Sequence, residues 1–376
     1  MASVNLEKPA VLILGKLPPP YFGPAVATQI LLKSKLRDHF TLHHLCTNIN
    51  EQMKEMASFQ VKKPIQIAKL YLKLIFILIA HRIDIVLIPI SQTSWGFYKD
   101  SPFILISKLL GKKVIVQLRG SNFANWVDRS SKLNRKYVKF VLKRSEGVIV
   151  LGQKLRGIFK DYYSDDRIFV VPNGANYLTS PIARTPGELT LLYLSNLQPA
   201  KGIEDFLSSL IQLEKKEKKY IAMVAGIWLD EKTKQNCERI VKVNKLKVKF
   251  LPPANPENKT NLFQQADIFI FPPRMPEGHP WVIVEAMAAG LPIISTDQGA
   301  ITESVQDNVN GFIVDAKSPT QISEKIMCLI ENPALKQKMG QASREAYLEK
   351  YTEDKMVEKL KFVFEEILGI ENGIRK

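Results

Sequence analysis

Short runs of Val, Ile and Leu alternate with longer stretches of helical spacing along the whole chain. A strand that is apolar without interruption has no side for water and must be covered on both faces. Such strands belong inside a parallel sheet flanked by helices. In the first half, strands are expected at 11–14, 41–46, 83–90, 113–118, 147–151 and 168–171. The helices between them are expected at 25–36, 65–80, 101–110, 133–144 and 153–162. The second half repeats the pattern, with strands at 189–194, 221–225, 248–251, 268–271, 292–295 and 311–314. Its helices are expected at 203–218, 231–244, 259–265, 281–289, 301–305, 319–330 and 333–349. The stretch 179–187 carries two prolines and a glycine and reads as a linker. The expectation is two Rossmann-like α/β/α domains, 1–178 and 188–350. A last helix, 354–368, returns to the first domain with the terminal segment 354–376.

Open parallel sheets bind ligands beyond the carboxyl ends of their strands. Four loops are placed there: 15–25, 119–125, 195–202 and 272–285. The first runs from Gly15 to Gly23 without a GxGxxG, so a dinucleotide-dependent oxidoreductase is excluded.

Charge separates the halves. The net charge is +16, and residues 1–188 hold all of it, with 28 Lys and Arg against 12 Asp and Glu. Residues 189–376 carry 25 of each sign. A basic first half suits an anionic membrane surface or a polyanionic ligand. Nucleic acid is disfavoured, because no aromatic–basic interleave or helix-turn-helix pattern occurs. The most apolar stretch, 65–80, contains Lys69 and Lys73 and is flanked by Lys62, Lys63 and Arg82. Sixteen helical residues reach about 24 Å, short of the roughly 30 Å hydrocarbon layer. This helix therefore lies in a membrane interface, packs in the domain, or does both with opposite sides. The apolar run 11–14 ends at Gly15 and reads as a first strand rather than an export signal. Cys46, Cys237 and Cys328 are widely spaced and form no CxxC pair, which favours a reducing cytoplasm over a disulfide framework or a cysteine zinc site.

The most informative segment is PPRMPEGHPWVIVEAMAAGLPIISTD, residues 272–297. Gly278 and Pro280 force a tight turn between Glu277 and Glu285, and a helix starts near Trp281. Glu277 falls in the loop and Glu285 on the helix. The N–H groups at such a helix start suit phosphates or hydroxyls, and an ionised carboxylate accepts hydrogen bonds from vicinal hydroxyls.

The spacing of Glu277 and Glu285, followed by Ala286, Met287, Ala288 and Gly290, resembles the signature of the retaining glycosyltransferases of family 4. These enzymes have the GT-B fold, two Rossmann-like domains facing across a cleft. The resemblance extends through Pro172, Asn173, Gly174, Lys201, Gly202, Pro292, Gly299, Glu303, Asn310, Gly311 and Asp315. It implies transfer of a sugar from a nucleotide-sugar donor, UDP-linked before GDP-linked, to a saccharide or lipid-linked saccharide. The setting it implies is synthesis of cell-surface polysaccharide or lipopolysaccharide. The protein would then be cytoplasmic and peripheral on the inner face of the membrane. Glu285 is implied to bind the ribose hydroxyls. Glu277 would face the donor sugar, beside the backbone of Gly278, His279, Pro280 and Trp281. Lys201 would neutralise the diphosphate, and Gly23 would lie near it. No side-chain nucleophile and no divalent metal or other cofactor is implied.

Three positions depart from the family pattern. Gly23-Pro24 replaces a Gly-Gly pair and removes one N–H donor. Asn196 stands where the family has an arginine at the diphosphate. Arg119-Gly120 stands where many members have a histidine. Arg119 is therefore a candidate for the compensating cation, directed at the diphosphate or at a charged acceptor. His279, in place of a commoner phenylalanine, either hydrogen-bonds the donor sugar or caps its turn. The rival readings are a catalytically inactive nucleotide-sugar-binding protein and an enzyme transferring to phosphate.

Overall fold

A computed structural model describes residues 8–19, 21–48, 63–177, 189–371 and 374–375. The chain forms two compact units, Met1–Asn173 with Glu353–Lys376, and Gly174–Thr352.

The first unit contains β1 (Ala10–Gly15), α1 (Gly23–Lys33), β2 (Thr41–Cys46), α2 (Lys63–Ala80), β3 (Ile85–Ile90) and α3 (Ser94–Leu109). It continues with β4 (Lys113–Leu118), α4 (Phe123–Asp128), α5 (Lys132–Leu142), β5 (Gly147–Val150) and β6 (Ile168–Val170). Its six strands are parallel, in the order β2-β1-β3-β4-β5-β6. The central strands are buried along their length, as their unbroken apolar sequences require.

The second unit contains β7 (Leu189–Leu194), α6 (Ile203–Lys215), β8 (Tyr220–Ala225), α7 (Glu231–Val243), β9 (Val248–Leu251), α8 (Pro256–Gln265), β10 (Ile268–Phe271) and α9 (Trp281–Ala288). After these come β11 (Ile293–Thr296), α10 (Ile301–Ser304), β12 (Gly311–Val314), α11 (Pro319–Glu331) and α12 (Pro333–Lys350). This sheet is also parallel, in the order β12-β11-β10-β7-β8-β9. Successive strands add to one side of β7 as far as β9, and the chain then resumes on the other side at β10. The chain leaves β7 and β10 toward opposite sides of the sheet, so the loops after these two strands lie side by side at its switch point, the place where open parallel sheets have their binding crevice.

Helix α13 (Glu353–Leu368) closes the core of the first unit. Its Leu360, Phe364 and Ile367 pack with Val11, Ile13, Ile85 and Leu87. The short strands β13 (Ile370–Glu371) and β14 (Ile374–Arg375) pair antiparallel beyond it.

Four sequence expectations need correction. Helix α3 begins at Ser94 rather than at 101. Thr93 caps it by accepting from the Gly96 N–H at 3.3 Å, and Pro102 lies inside the helix rather than at its start. The segment expected as a helix over 153–162 is a 3-10 run, Gln153–Phe159. The short α4 had no counterpart in the apolar pattern. Finally, the boundary at 178 falls too late, because the 175–177 stretch is bonded into the second unit. The Ala175 N–H donates to the Tyr351 carbonyl at 3.1 Å, and the Tyr177 N–H donates to the Tyr347 hydroxyl at 3.1 Å. The expected linker 179–187 and Lys62 lie outside the described residues.

Candidate functional site

Two loops of the second unit meet at its crevice because glycine allows them to. The chain leaves β7, makes a 3-10 turn over Pro199–Lys201, and enters α6 through Gly202 at φ +77°. A Cβ on Gly202 would stand 1.9 Å from the Pro272 carbonyl oxygen, so no other residue permits this approach. The Tyr193 hydroxyl donates to the Lys201 carbonyl at 2.9 Å and fixes the turn from below.

Arg274 locks the two loops together. Its N–H donates to the Ala200 carbonyl at 2.9 Å. Its guanidinium grips Asp205 with two bonds of 2.6 and 2.7 Å and reaches Glu204 at 3.2 Å. Both acids sit in the first turn of α6, where the helix dipole favours negative charge. The hydrogen bond to Asp205 raises the guanidinium pKa further above its ordinary value, against the opposing effect of burial.

This brace brings Lys201 and Glu277 into a direct ion pair, with the Lys201 ammonium 5.9 Å from the Phe271 ring centre. Burial raises the Glu277 carboxyl above its usual range, and Lys201 offsets part of that shift. The backbone under Glu277 is held by a second close approach. Gly299, at φ +60°, would place a Cβ 1.6 Å from the Glu277 carbonyl oxygen, and the Ala300 N–H donates to the Gly278 carbonyl at 2.9 Å.

Pro280 precedes α9, whose start has no side-chain cap. Trp281 is its first residue and is buried. Glu285, one turn further on, is 6% exposed. Lys259 of α8 lies across its carboxylate, 2.6 Å from Oε1 and 2.5 Å from Oε2. Burial and then the charge of Glu285 hold the Tyr177 phenol well above its ordinary pKa. The carboxyl edge therefore presents two carboxylates, each with its own lysine.

His279 faces inward. Its Nε2 shares a hydrogen bond of 2.8 Å with the Ser304 hydroxyl, and its ring lies 5.0 Å from that of Tyr351. The buried imidazole thus anchors, through Ser304, the turn that presents Glu277. Asn196 is half-buried in the loop after β7.

Gly23 and Arg119 belong to the first unit. Gly23 opens α1, with Pro24 in its first turn. Gly15 packs against this helix so closely that a Cβ would stand 2.4 Å from the Thr28 hydroxyl. Arg119 follows β4. Its Nε donates to Gln117 at 3.0 Å, and its Nη1 donates to the Pro24 carbonyl and to the Thr28 hydroxyl, the latter at 3.3 Å. Burial lowers its pKa to about 10. In this geometry Arg119 braces the start of α1.

Sequence reading missed Arg274, Lys259 and Tyr177. Arg274 and Asp205 are 69 positions apart, and Lys259 and Glu285 are 26 apart, so no local period marks either pair. The parallel order of the strands was the one available signal, since it puts the loops after β7 and β10 side by side. Among the described residues, no group of three or more His, Cys, Asp or Glu is placed to hold a metal ion.

Residues 180–346 match the family described as glycosyl transferases, group 1. An uncharacterised glycosyltransferase of Methanocaldococcus jannaschii is 25% identical over 281 residues, covering 74% of this chain and 76% of the relative. Among solved structures, a glycosyltransferase from Rickettsia africae superposes with a TM-score of 0.76 at 18% identity, over 96% of this chain and 99% of that one. The Anabaena protein HepE, solved in complex with UDP-glucose, gives a TM-score of 0.72 at 18% identity, over 95% of this chain and 99% of that one. The fold is GT-B.

Proposed function

We propose that this chain, whose residues 180–346 match the glycosyl transferases of group 1, moves a sugar from a nucleotide-sugar donor to a saccharide or lipid-linked saccharide with retention of configuration. UDP-sugars are the favoured donors, ahead of GDP-sugars. The acceptor belongs to the synthesis of cell-surface polysaccharide or lipopolysaccharide, at the inner face of a membrane. The observation that carries this reading is the Lys201–Glu277 pair at the crevice of the second unit, its Glu277 in the loop that leads into α9 and the buried Glu285. HepE, which shares this fold, was solved with UDP-glucose, and this supports a uridine nucleotide as donor.

Each role follows from its chemistry. A ribose diol donates two hydrogen bonds, and Glu285 is a fixed acceptor; the diol displaces the Lys259 ammonium as it enters. The diphosphate gains charge as the sugar–phosphate bond breaks, and Lys201 is the cation beside that position. Stabilising charge that develops in the transition state accelerates the reaction rather than merely tightening binding. Glu277 aligns Lys201 and accepts from a sugar hydroxyl. No side chain attacks the sugar. The leaving phosphate takes the acceptor's proton on the same face, so the product keeps the donor's anomeric configuration. Incubation with a panel of nucleotide sugars and simple glycoside acceptors tests this. Release of nucleotide with a product of retained anomeric coupling, read by proton NMR, is the expected result. An inverted product refutes the mechanism, and no release from any donor refutes the activity.

A further inference from the structure

Helix α2 has two apolar faces, and the fold buries only one. Leu70, Leu74 and Leu78 recur at helical spacing and are buried. Ile65, Leu72, Phe76 and Ile79 fall on the opposite side and are 62%, 66%, 69% and 72% exposed. Single exposed apolar residues are ordinary, but a contiguous stripe of four large ones marks an interaction surface. Lys69 and Lys73, both exposed, border the stripe on one side. The helix contains no Asp or Glu.

We propose that the outward face of α2 rests on an anionic lipid bilayer. Ile65, Leu72, Phe76 and Ile79 enter the boundary between head groups and acyl chains, and Lys69 and Lys73 meet lipid phosphates. Charge selects this occupant. A second copy docking through the same face would set these lysines against their own images, with no carboxylate on α2 to pair them. An anionic bilayer supplies the missing countercharge, and residues 1–188 carry the whole net charge of +16. The orientation also follows. The helix has 18 residues, and no described helix is long and apolar enough to cross a membrane, so α2 lies in the interface plane. The proposal deepens the lipid-linked acceptor reading and rests on it for its purpose, although its physical basis is the stripe itself.

The experiment is sedimentation of the full chain with phosphatidylcholine vesicles containing about one third phosphatidylglycerol, and with pure phosphatidylcholine. Wild type is expected to pellet with the anionic vesicles at low salt and to be released at about 0.5 M salt. Leu72→Gln, Phe76→Gln and Ile79→Gln together are expected to lower the partition coefficient at least tenfold. Lys69→Gln with Lys73→Gln is expected to lower it about fivefold per lysine at low salt and to flatten the salt dependence. Circular dichroism of both variants should match wild type, since every replaced side chain is exposed. Failure of wild type to pellet, or equal pelleting of both variants, overturns the proposal. So does a dimer in solution that the triple glutamine variant abolishes, because the stripe is then an interface between copies. Vesicle binding is read without sugar transfer. Intact binding with no transfer would sink the enzymatic reading alone, and transfer without binding would sink this one alone.

Discussion

Replacing Arg274 by methionine keeps the aliphatic stem and deletes the charge that joins the two site loops. Asp205, 5% exposed at its side chain, loses both of its short bonds, and Glu204 loses a third. Removing one partner of a buried ion pair costs about 3–5 kcal/mol because the other charge is stranded. Two features reduce that figure here. Arg274 is 22% exposed, so water reaches part of the site, and the amino terminus of α6 still favours the Asp205 carboxylate. The expected loss is about 2–3 kcal/mol, or a fall in Tm of roughly 4–12 °C for a unit of this size. The Arg274 N–H keeps its bond to Ala200, so the loops should loosen rather than separate. Turnover is expected to drop about tenfold as the Lys201–Glu277 pair loses definition. Thermal unfolding of Arg274→Met, Asp205→Asn and the double variant measures the coupling. A single-variant loss under about 0.5 kcal/mol, or strict additivity, would refute the claim that this pair holds the loops.

Three further outcomes are expected. Lys201→Ala should lower kcat far more than donor affinity, because the charge on the departing diphosphate grows in the transition state; equal losses in steady-state kinetics and in donor titration would reject that role. The Glu277 carboxyl is raised above its ordinary 4.5 by burial, so the folded state holds this proton more tightly than the unfolded chain does. The resulting stabilisation is complete below the unfolded pKa and is lost as pH rises through the folded one. Stability of wild type relative to Glu277→Gln should therefore decline with rising pH from 4.5 upward, and chemical denaturation showing the opposite slope would contradict the burial of this group. Gly299→Ala combines an unfavourable φ with a clash on the Glu277 carbonyl and should cost about 2 kcal/mol or more, measured by the same unfolding assay.

Much of the fold was legible because covered parallel strands write themselves as unbroken apolar runs. The strands at 41–46, 113–118, 189–194, 248–251, 268–271 and 311–314 match their expected ends. The start of α3 was not legible, because it is set by the Thr93 cap seven residues before the expected one, in a stretch without apolar period. Within the candidate site, Glu277, Glu285 and Lys201 were singled out through the family motif they resemble, and the structure places Lys201 against Glu277 across the two loops. The inward turn of His279 was not readable, since its partner Ser304 lies 25 positions away and depends on the packing of α10. The same holds for Arg274, whose acids are contributed by another helix. The two-sided character of α2 was visible as lysines within an apolar run, but only packing within the unit, including that of Tyr71 on Phe103 of α3, decides which apolar residues are left in water.

Titration calorimetry of UDP, GDP and their nucleotide sugars against wild type and Glu285→Gln tests the donor assignment most directly. At least one of these ligands should bind wild type, and the glutamine variant should lose about 1.5–3 kcal/mol of that affinity as the ribose loses a charged acceptor. The fold of Glu285→Gln should persist, because the amide is isosteric and remains within reach of Lys259 and Tyr177. Absence of binding by every uridine and guanosine nucleotide sugar would contradict a nucleotide-sugar site in the second unit. Binding unchanged by the substitution would show that the crevice beside Glu285 is not where the nucleotide lies.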